Sequence, residues 1–392
     1  MIRDYGKGAG IGFQGLKHLI VGAGLYGATM AERIASDKKE RVLILEKRKH
    51  IGGNSYSEPD PETGIECHLY GSHIFHTKSS RVWEYANRFA SFNSYRHKVL
   101  SCYRGKMYPM PINLSTINSF YNSNMNPQQA RDFLASQKAN QQQTRDQNCE
   151  SRAIAVMGRA LYEAFYKNYT KKQWGMDPAH LPAAIVDRLP IRFNFKSDYF
   201  DDPWQGIPVN GYGALIRNML CRENIDVILG IDYFDVRHLI PEDCLTIYCG
   251  PIDRLFNYEY GHLKWRAMRF EREILPTGDF QGTAVVNYPD PNVKYLRIHE
   301  YRHYNDDGKY PADRTVIHRE YPLDGFKHED PHYPVNTTAD NKIYNLYMEK
   351  AKARCNILLG GRLGTYSYVN MDQTILNALD QYDYSVRNRN TK

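Results

Sequence analysis

The residue spacing that points most directly to chemistry is Gly22-x-Gly24-x-x-Gly27, which directly follows the apolar run His18–Val21. Glycines at these positions permit a tight turn, a close approach of backbone to a pyrophosphate, and close packing of a helix on a strand. The helix that we expect over 25–36 would direct its unpaired N–H groups and its positive dipole end at that anion. The motif therefore predicts a dinucleotide-binding turn.

An acidic residue and a glycine pair extend this motif. The segment 41–45 is typical of a second buried strand, and Glu46 at its end is placed to accept hydrogen bonds from a ribose diol. Gly52 and Gly53 follow six residues later. An extended flavin needs a second approach of backbone beyond the ribose, so this pair favours FAD over NAD.

A second match to the same pattern occurs at Gly10-x-Gly12-x-x-Gly15. The residues before it, 2–9, are polar and glycine-rich, which does not predict a strand, and no acidic residue ends a following strand. Because the motif depends on a strand before it and a helix after it, we reject this match.

Two further regions differ in pattern from the nucleotide half-site. Helices are expected over 114–121, 127–138 and 151–168, with a polar loop over 139–149 between the last two. Antiparallel strands are expected over 283–288, 293–298 and 315–321, which are rich in β-branched and aromatic residues. A strand at 357–359 and a helix over 372–379 suggest that the chain returns to its nucleotide domain.

These patterns predict an α/β fold: a Rossmann-like FAD-binding domain with an inserted helical domain and an antiparallel β-sheet domain. We assign 17–95, 208–252 and 352–392 to the FAD-binding domain and 113–187 to the helical domain. The sheet domain takes 96–112, 188–207 and 253–351. The chain has 392 residues and 42% hydrophobic content, enough for such a multidomain core.

Composition restricts the partners and the compartment. The apolar runs are too short for a membrane span, and residues 1–17 lack the apolar stretch of a secretory signal. Seven scattered cysteines without a C-x-x-C pair favour a reduced, cytoplasmic protein. The net charge of +7 is modest and dispersed, which fits a diphosphate substrate and does not indicate a nucleic-acid partner.

The histidines at His73 and His76, with His68 nearby, raise the alternative of a metal site. No carboxylate or cysteine completes the set at a recognisable ligand spacing, so we expect no metal. Hydrogen-bonded core histidines are the more common interpretation of such a pattern.

The segment 70–77, Tyr-Gly-Ser-His-Ile-Phe-His-Thr, resembles the Y-G-P-H-I-F-H-T segment of bacterial UDP-galactopyranose mutases. Four other segments resemble that family in the same order, at 111–118, 169–175, 188–192 and 361–366. Several motifs in order are more specific than any single one. The similarity extends from about Lys17 to the last helix.

The resemblance implies an isomerase that interconverts UDP-galactopyranose and UDP-galactofuranose for cell-surface polysaccharide synthesis. It implies that only reduced FAD is active: flavin N5 attacks the anomeric carbon and expels UDP, the flavin-bound sugar opens to an iminium, and it recloses as the furanose. It also implies a homodimer and an external reductant for the flavin.

The resemblance further implies roles for individual residues. Arg188 and Arg297 match the arginines that clamp the diphosphate, and planar guanidinium groups suit that task. Tyr169 would stack on uracil, and Trp174 would lie on a mobile loop that closes over substrate. Catalytic roles are implied for His76, Arg188 and Arg297.

Two larger sets follow from the same resemblance. The implied substrate-binding residues are His97, Phe165, Tyr169, Trp174, Arg188, Tyr199, Arg297, Tyr333 and Tyr368. The implied cofactor-binding residues are Gly22, Gly24, Leu25, Tyr26, Gly27, Glu46, Lys47, Gly53, Asn54, His73, Ile74, Arg362, Tyr368, Met371 and Asp372.

Two departures from the family pattern leave the sugar open. Ser72 replaces the usual proline, and Asn370 stands where an aspartate is common. The same chemistry on UDP-N-acetylgalactosamine is therefore an alternative. An FAD-dependent oxidoreductase of the amine oxidase type would share the flavin motif, but Arg188, Arg297 and the uridine-side motif argue against it.

Overall fold

The computed structural model describes residues 1–4, 12–139, 148–186, 190–305, 308–324 and 330–389. The predicted polar loop over 139–149 lies largely outside the described residues. The strands are β1 Ile2–Asp4, β2 His18–Val21, β3 Val42–Glu46, β4 Ser57–Pro59, β5 Glu66–His68, β6 Phe75–Thr77, β7 Val99–Tyr103, β8 Lys106–Met110, β9 Trp204–Gly206, β10 Ile225–Leu229, β11 Leu245–Tyr248, β12 Trp265–Leu275, β13 Val285–Asn287, β14 Arg297–Glu300, β15 Thr315–Asp324, β16 Tyr333–Pro334 and β17 Ile357–Leu359.

Helices connect these strands. They are α1 Leu25–Arg33, α2 Ser80–Asn87, α3 Leu114–Tyr121, α4 Pro127–Ala139, α5 Cys149–Met157, α6 Arg159–Leu161, α7 Asn168–Trp174, α8 Gly211–Leu220, α9 Tyr233–Val236, α10 Ile252–Leu255, α11 Thr338–Lys352, α12 Gly361–Gly364 and α13 Met371–Gln381. π-Helical turns follow α1 at Ile34–Lys38, precede α7 at Tyr162–Lys167, and follow α13 at Tyr382–Val386.

A six-stranded parallel sheet in the order β1-β10-β3-β2-β11-β17 forms the nucleotide domain. Both faces of β2 and β3 are buried: Ile20 and Ile44 pack under α1, α8 and α13, whereas Leu19 and Leu43 pack toward α10 and α11. Burial on both faces explains why these strands are continuous apolar runs instead of alternating ones. The predicted Rossmann-like domain is confirmed.

The N-terminal prediction was wrong in one respect. Ile2–Asp4 forms β1, which pairs in parallel with β10 at the edge of the sheet. A short edge strand needs to bury little, because only one side of it pairs. Its three residues are mostly exposed, so no apolar pattern marked it.

The second sheet has seven strands in the order β16-β12-β15-β14-β13-β7-β8. The predicted antiparallel strands correspond to β13, β14 and β15, with β14 beginning at Arg297 instead of 293. Their pairing is antiparallel, but β13 pairs with β7 in parallel, so the sheet is mixed. The predicted boundaries of the three domains stay predictions.

The helices over 114–121 and 127–138 are confirmed as α3 and α4. The Asn113 side chain accepts a hydrogen bond from the Thr116 N–H and thereby caps α3. The single helix expected over 151–168 is wrong, because the chain breaks at Gly158 with φ +80°. Glycine adopts this left-handed backbone without a steric penalty, and a new helix axis begins after it.

Candidate active site

The glycine turn after β2 has the close packing that its sequence predicts. A Cβ on Gly27 would lie 2.1 Å from the Gly22 carbonyl oxygen, and Gly22 itself has φ +105°. Gly24 is the N-cap of α1 and supplies no side-chain hydrogen bond to the helix N-terminus. The first N–H groups of α1 are thus left for an anion such as a pyrophosphate.

The second glycine approach lies beside the first. A Cβ on Gly53 would lie 3.3 Å from Gly24 Cα, and Gly52 pairs with Gly24 in an isolated parallel bridge. Glu46 Oε2 accepts from the Ala23 N–H at 2.8 Å, and its Oε1 accepts from the Arg48 N–H at 2.9 Å. Each carboxylate oxygen retains a further lone pair for a ribose hydroxyl.

The other predicted cofactor residues surround this turn. Leu25 and Tyr26 are buried in the first turn of α1, and Tyr26 donates to Gln381 Oε1. Lys47 is exposed after β3, and Asn54 Oδ1 accepts from Arg48 Nη2 at 2.8 Å.

The C-terminal segment contributes a cation and a helix end. Arg362 donates from Nη1 to the His332 carbonyl and from Nη2 to the Val369 carbonyl, both at 2.9 Å. Its guanidinium lies 4.7 Å from the centre of the Tyr368 ring. Met371 and Asp372 begin α13, whose N-cap residue Asn370 makes no side-chain capping bond.

The segment between β5 and β6 contains His73, which contacts His68 at the end of β5. His73 Nδ1 bonds to the Gly71 carbonyl at 2.6 Å, and its N–H donates to His68 Nδ1 at 3.0 Å. Burial lowers the pKa of His73 to about 4. The side chain of Ile74 is buried in the core. His73 and His68 are therefore neutral and serve as hydrogen-bonding groups near neutral pH.

His76 and His97 both lie near the Phe200 ring. The His76 ring stacks on Phe200 with centroids 3.7 Å apart, and its Nδ1 bonds to Asp202 Oδ2. His97 lies 5.4 Å from the Tyr199 ring, and burial lowers its pKa to about 3. His97 thus reaches the predicted substrate tyrosine, whereas His76 is paired with a carboxylate.

An aromatic pocket lies between the helical region and the mixed sheet. Its lining includes four predicted substrate residues, Phe165, Tyr169, Trp174 and Tyr199. Phe165 and Tyr169 lie on consecutive helical turns, and Trp174 ends α7. Flat aromatic walls of this kind suit a planar base.

A buried charge cluster borders that pocket. The Arg297 guanidinium lies 5.8 Å from the centre of the Tyr169 ring, and its Nε is 3.2 Å from Glu320 Oε2. Burial opposes ionisation of Glu320, but Arg297 and His299 hold its pKa at about 2. Burial lowers the pKa of Arg297 more than any single neighbour raises it, but Glu320 and three nearby tyrosines together outweigh burial. The net pKa shift of Arg297 is therefore upward, and both groups are charged at neutral pH.

Tyr333 connects the aromatic pocket to the cofactor side. Its ring lies 6.3 Å from Trp174 and stacks on Tyr368 with centroids 5.5 Å apart. Arg362 lies next to both tyrosine rings. Trp174, Tyr333, Tyr368 and Arg362 thus form one continuous surface between predicted substrate and predicted cofactor residues. The predicted Arg188 lies outside the described residues.

Three of the buried polar atoms that have no hydrogen-bond partner within the described chain lie near this surface: His332 Nε2, Glu320 Oε1 and Arg297 Nε. Burial lowers the pKa of His332 to about 4. Buried polar atoms are usually satisfied, so these orphans are the expected sign of a bound polar molecule.

Lys172 ties the pocket helix to the strand that carries Arg297. Its ammonium group lies within hydrogen-bond distance of four carbonyl oxygens, those of Tyr288, Asp290, Val293 and Tyr295. Burial lowers the pKa of Lys172 to about 8. The loop before Arg297 is therefore held against α7.

The sequence prediction missed Glu320, His299, Ser72 and Lys172 as members of the site. The only available signal was alternation: Arg297 and His299 share one face of β14, as His318 and Glu320 share one face of β15. The observed register places Arg297 opposite Glu320 and His299 opposite His318.

None of the helices in the described part of the chain is both long and apolar enough to cross a membrane.

Two protein-family models match the chain. One described as UDP-galactopyranose mutase matches residues 164–368, and one described as an NAD(P)-binding Rossmann-like domain matches residues 20–89. The chain is 38% identical over 376 residues to a dTDP-fucopyranose mutase of Escherichia coli, covering 95% of this chain and 99% of that protein. It is also 38% identical over 378 residues to a probable UDP-galactopyranose mutase of Klebsiella pneumoniae, covering 95% and 96%.

Solved structures share the fold. A crystal structure of reduced UDP-galactopyranose mutase matches with a TM-score of 0.72 at 15% identity, covering 94% of this chain and 93% of that one. A putative protoporphyrinogen oxidase from Exiguobacterium sp. 255-15 matches with a TM-score of 0.64 at 13% identity, covering 96% and 99%. Identities this low bear on the fold alone.

Proposed function

The chain belongs to the UDP-galactopyranose mutase family, and from this premise we propose that it interconverts UDP-galactopyranose and UDP-galactofuranose. The observation that carries the proposal is the half-buried Arg297, which lies beside the aromatic pocket at Tyr169 and interacts electrostatically with Tyr333. Tyr333 in turn stacks on Tyr368 on the predicted cofactor side. A nucleotide sugar has a base, a diphosphate and a sugar in that order. Its sugar would thus lie toward the cofactor.

The cofactor that we propose is FAD in its reduced form. The bare N-terminus of α1, the Gly24–Gly53 contact and the orphaned His332 Nε2 fit an extended flavin dinucleotide. When bound and reduced, it supplies a nucleophilic nitrogen, N5, for the anomeric carbon of the sugar.

The chain's own residues bind and orient the substrate. Arg297 offers a forked guanidinium to the diphosphate, which makes UDP a better leaving group. Tyr169 would present a ring face to the uracil. The hydroxyls of Tyr199 and Tyr333, which both interact electrostatically with Arg297, would donate to phosphate oxygens. Closure of Trp174 over the substrate would exclude water.

Three further roles remain proposals on the family resemblance. We propose that Arg188 completes the diphosphate clamp and that His76 acts beside the flavin. We also propose a cytoplasmic homodimer that depends on an external reductant. All seven cysteines are free thiols, which supports a reducing compartment.

A second candidate substrate is dTDP-fucopyranose. The relative named for it is as similar to this chain as the probable UDP-galactopyranose mutase, at 38% identity each. The two nucleotides differ in the ribose 2′-hydroxyl and the base methyl group, and the two sugars differ at C6. UDP-N-acetylgalactosamine remains the alternative raised by Ser72 and Asn370.

The test is anaerobic incubation of dithionite-reduced protein with each furanose nucleotide separately: UDP-galactofuranose, its N-acetylated analogue and dTDP-fucofuranose. Chromatography should show conversion to the pyranose only with reduced flavin, and the relative kcat/KM values identify the substrate. Oxygen consumption in stoichiometry with substrate, without isomerised product, would contradict the mutase and favour the oxidoreductase.

A further inference from the structure

Ser72, His299 and Glu320 form a hydrogen-bonded line that the family resemblance does not assign. Ser72 Oγ lies 2.5 Å from His299 Nδ1, and His299 Nε2 lies 2.7 Å from Glu320 Oε2. An ionised carboxylate only accepts, so Nε2 carries the proton and Nδ1 accepts from the serine hydroxyl. The order of groups is serine, histidine and carboxylate, the arrangement that activates a hydroxyl for proton transfer.

The line is buried at one end and open at the other. His299 is fully buried and Glu320 is 2% exposed, whereas Ser72 is partly exposed. Tyr304 donates a hydrogen bond to Ser72 Oγ, and its ring stacks on His68 at 4.9 Å. Ser72 is therefore held between the Tyr304 hydroxyl and His299 Nδ1.

Burial lowers the pKa of His299, and the Glu320 carboxylate opposes that shift. His299 is therefore neutral and able to take up a proton near neutral pH. The imidazolium that forms would face the Glu320 carboxylate, which stabilises it. The His299–Glu320 pair can therefore accept a proton from Ser72.

We propose that Ser72 is a proton-transfer residue of the ring contraction, with His299 and Glu320 as the base behind it. The inference rests on the proposed function. Ring contraction breaks the C1–O5 bond, with a proton gained at O5, and forms the C1–O4 bond, with a proton lost from O4. A group that exchanges one proton with the sugar is therefore required.

The proton balance is closed. A bound reduced flavin would release one proton on bonding to C1 and would take one back when the nucleoside diphosphate regains its bond to C1. Ser72 Oγ would pass the released proton to His299 Nδ1 and would return it to O5 as the C1–O5 bond breaks. When the C1–O4 bond forms, Ser72 would pass the O4 proton to His299, which would hold it until it is taken back.

The experiment compares two reactions of the reduced holoenzyme on UDP-galactopyranose labelled with ¹⁸O at the anomeric position. Positional isotope exchange within the diphosphate reports cleavage of the C1–O bond, and furanose formation reports ring contraction. In Ser72→Ala we expect furanose formation to fall about 10²-fold, with isotope exchange within about threefold of wild type. The matched control is Tyr301→Phe, because the Tyr301 ring stacks on His299 while its hydroxyl bonds to the His68 carbonyl, outside the proton path. This variant should leave both rates within about threefold of wild type.

The results distinguish failure of the proton relay from failure of the proposed mutase activity. Equal loss of both reactions in Ser72→Ala, or loss of neither, overturns the relay. A wild-type holoenzyme that shows neither reaction, on this sugar or on dTDP-fucopyranose, overturns the mutase and the relay with it.

A second readout does not depend on turnover. In ¹⁵N-histidine NMR of the oxidised holoenzyme, the His299 signal, identified by its loss in His299→Gln, should report a protonated Nε2 and a hydrogen-bonded Nδ1. In Ser72→Ala the Nδ1 shift should move to that of a free acceptor. A protonated Nδ1 in the wild type refutes the direction of the relay.

Discussion

Replacing Arg297 with methionine separates its proposed role toward phosphate from its role beside Glu320. In Arg297→Met the carboxylate of Glu320 stays buried and keeps only His299 as a partner. Breaking a buried ion pair typically costs ~3–5 kcal/mol. Because His299 still donates, we expect the lower end, about 3 kcal/mol, and a Tm lower by roughly 5 °C.

The catalytic effect should be separate from this loss of stability. Charge-assisted hydrogen bonds to phosphate contribute about 1.5–3 kcal/mol each, so losing one or two of them lowers kcat/KM on the order of 10²-fold. In the double variant Arg297→Met/Glu320→Gln the uncompensated charge is gone. We therefore expect the Tm to return to within about 2 °C of wild type while kcat/KM stays low.

The measurements are thermal unfolding of the oxidised holoenzyme and steady-state kinetics of the reduced one. Glu320→Gln alone serves as the control for its own effect on both. Recovery of kcat/KM in the double variant would refute the phosphate role, since Arg297 would then act only by neutralising Glu320. An unchanged Tm in Arg297→Met would refute the claim that Glu320 depends on it.

Three further outcomes are expected. Gly175→Ala should raise KM about tenfold, because the new Cβ would lie 2.5 Å from Arg266 Nη1 and alanine would have to adopt φ +64°. The control is Gly282→Ala, which has a similar φ of +67° but no neighbour within 4 Å of the new Cβ. It should leave KM unchanged in the same kinetic assay. Gly27→Ala should yield protein without bound FAD by absorbance, since the Cβ would meet the Gly22 carbonyl at 2.1 Å, and a normal flavin content would contradict the turn geometry. Burial lowers the pKa values of His73, His97, His318 and His332 to about 3 or 4 in the folded state, so between pH ~6.5 and 4 the unfolded chain binds more protons than the folded one. The free energy of unfolding should therefore be highest above pH ~6.5 and should fall as pH falls toward 4, by up to ~1.4 kcal/mol per pH unit for each histidine. A Tm that stays constant over that interval would contradict their burial as neutral groups.

Local patterns predicted the nucleotide domain well. The strand before Gly22, the strand before Glu46 and the helix between them all occur, because a doubly covered parallel sheet leaves a continuous apolar run in the sequence. The resemblance to the mutase family is confirmed by the family match over 164–368.

The longest strand escaped prediction. β12 has three arginines and two glutamates among its 11 residues, and most of its side chains are partly or fully exposed. A strand whose side chains mostly face solvent lacks the alternating apolar pattern that would predict it. The parallel pairing of β7 with β13 joins segments far apart in the chain, and strand propensity carries no information on partners.

The resemblance names individual candidate residues but carries no information on the contacts between them. Arg297 was identified by resemblance, but its partner Glu320 lies on another strand, and the pairing depends on the register of β14 with β15. Ser72 was noted only as a departure from proline, because its meaning depends on His299, which reaches it through the folded chain. Such contacts follow from tertiary structure and have no local signal.

The carbonyl cage around Lys172 has a thermodynamic consequence for nucleotide binding. Since Lys172 fastens the loop before Arg297 to α7, the groups that we propose to contact the base and the diphosphate are held together as one unit. Such a unit loses little conformational freedom when the nucleotide binds, so more of the contact energy is available as affinity. The loss of conformational freedom occurs instead during folding, when Lys172 moves from water to its site among the carbonyl oxygens.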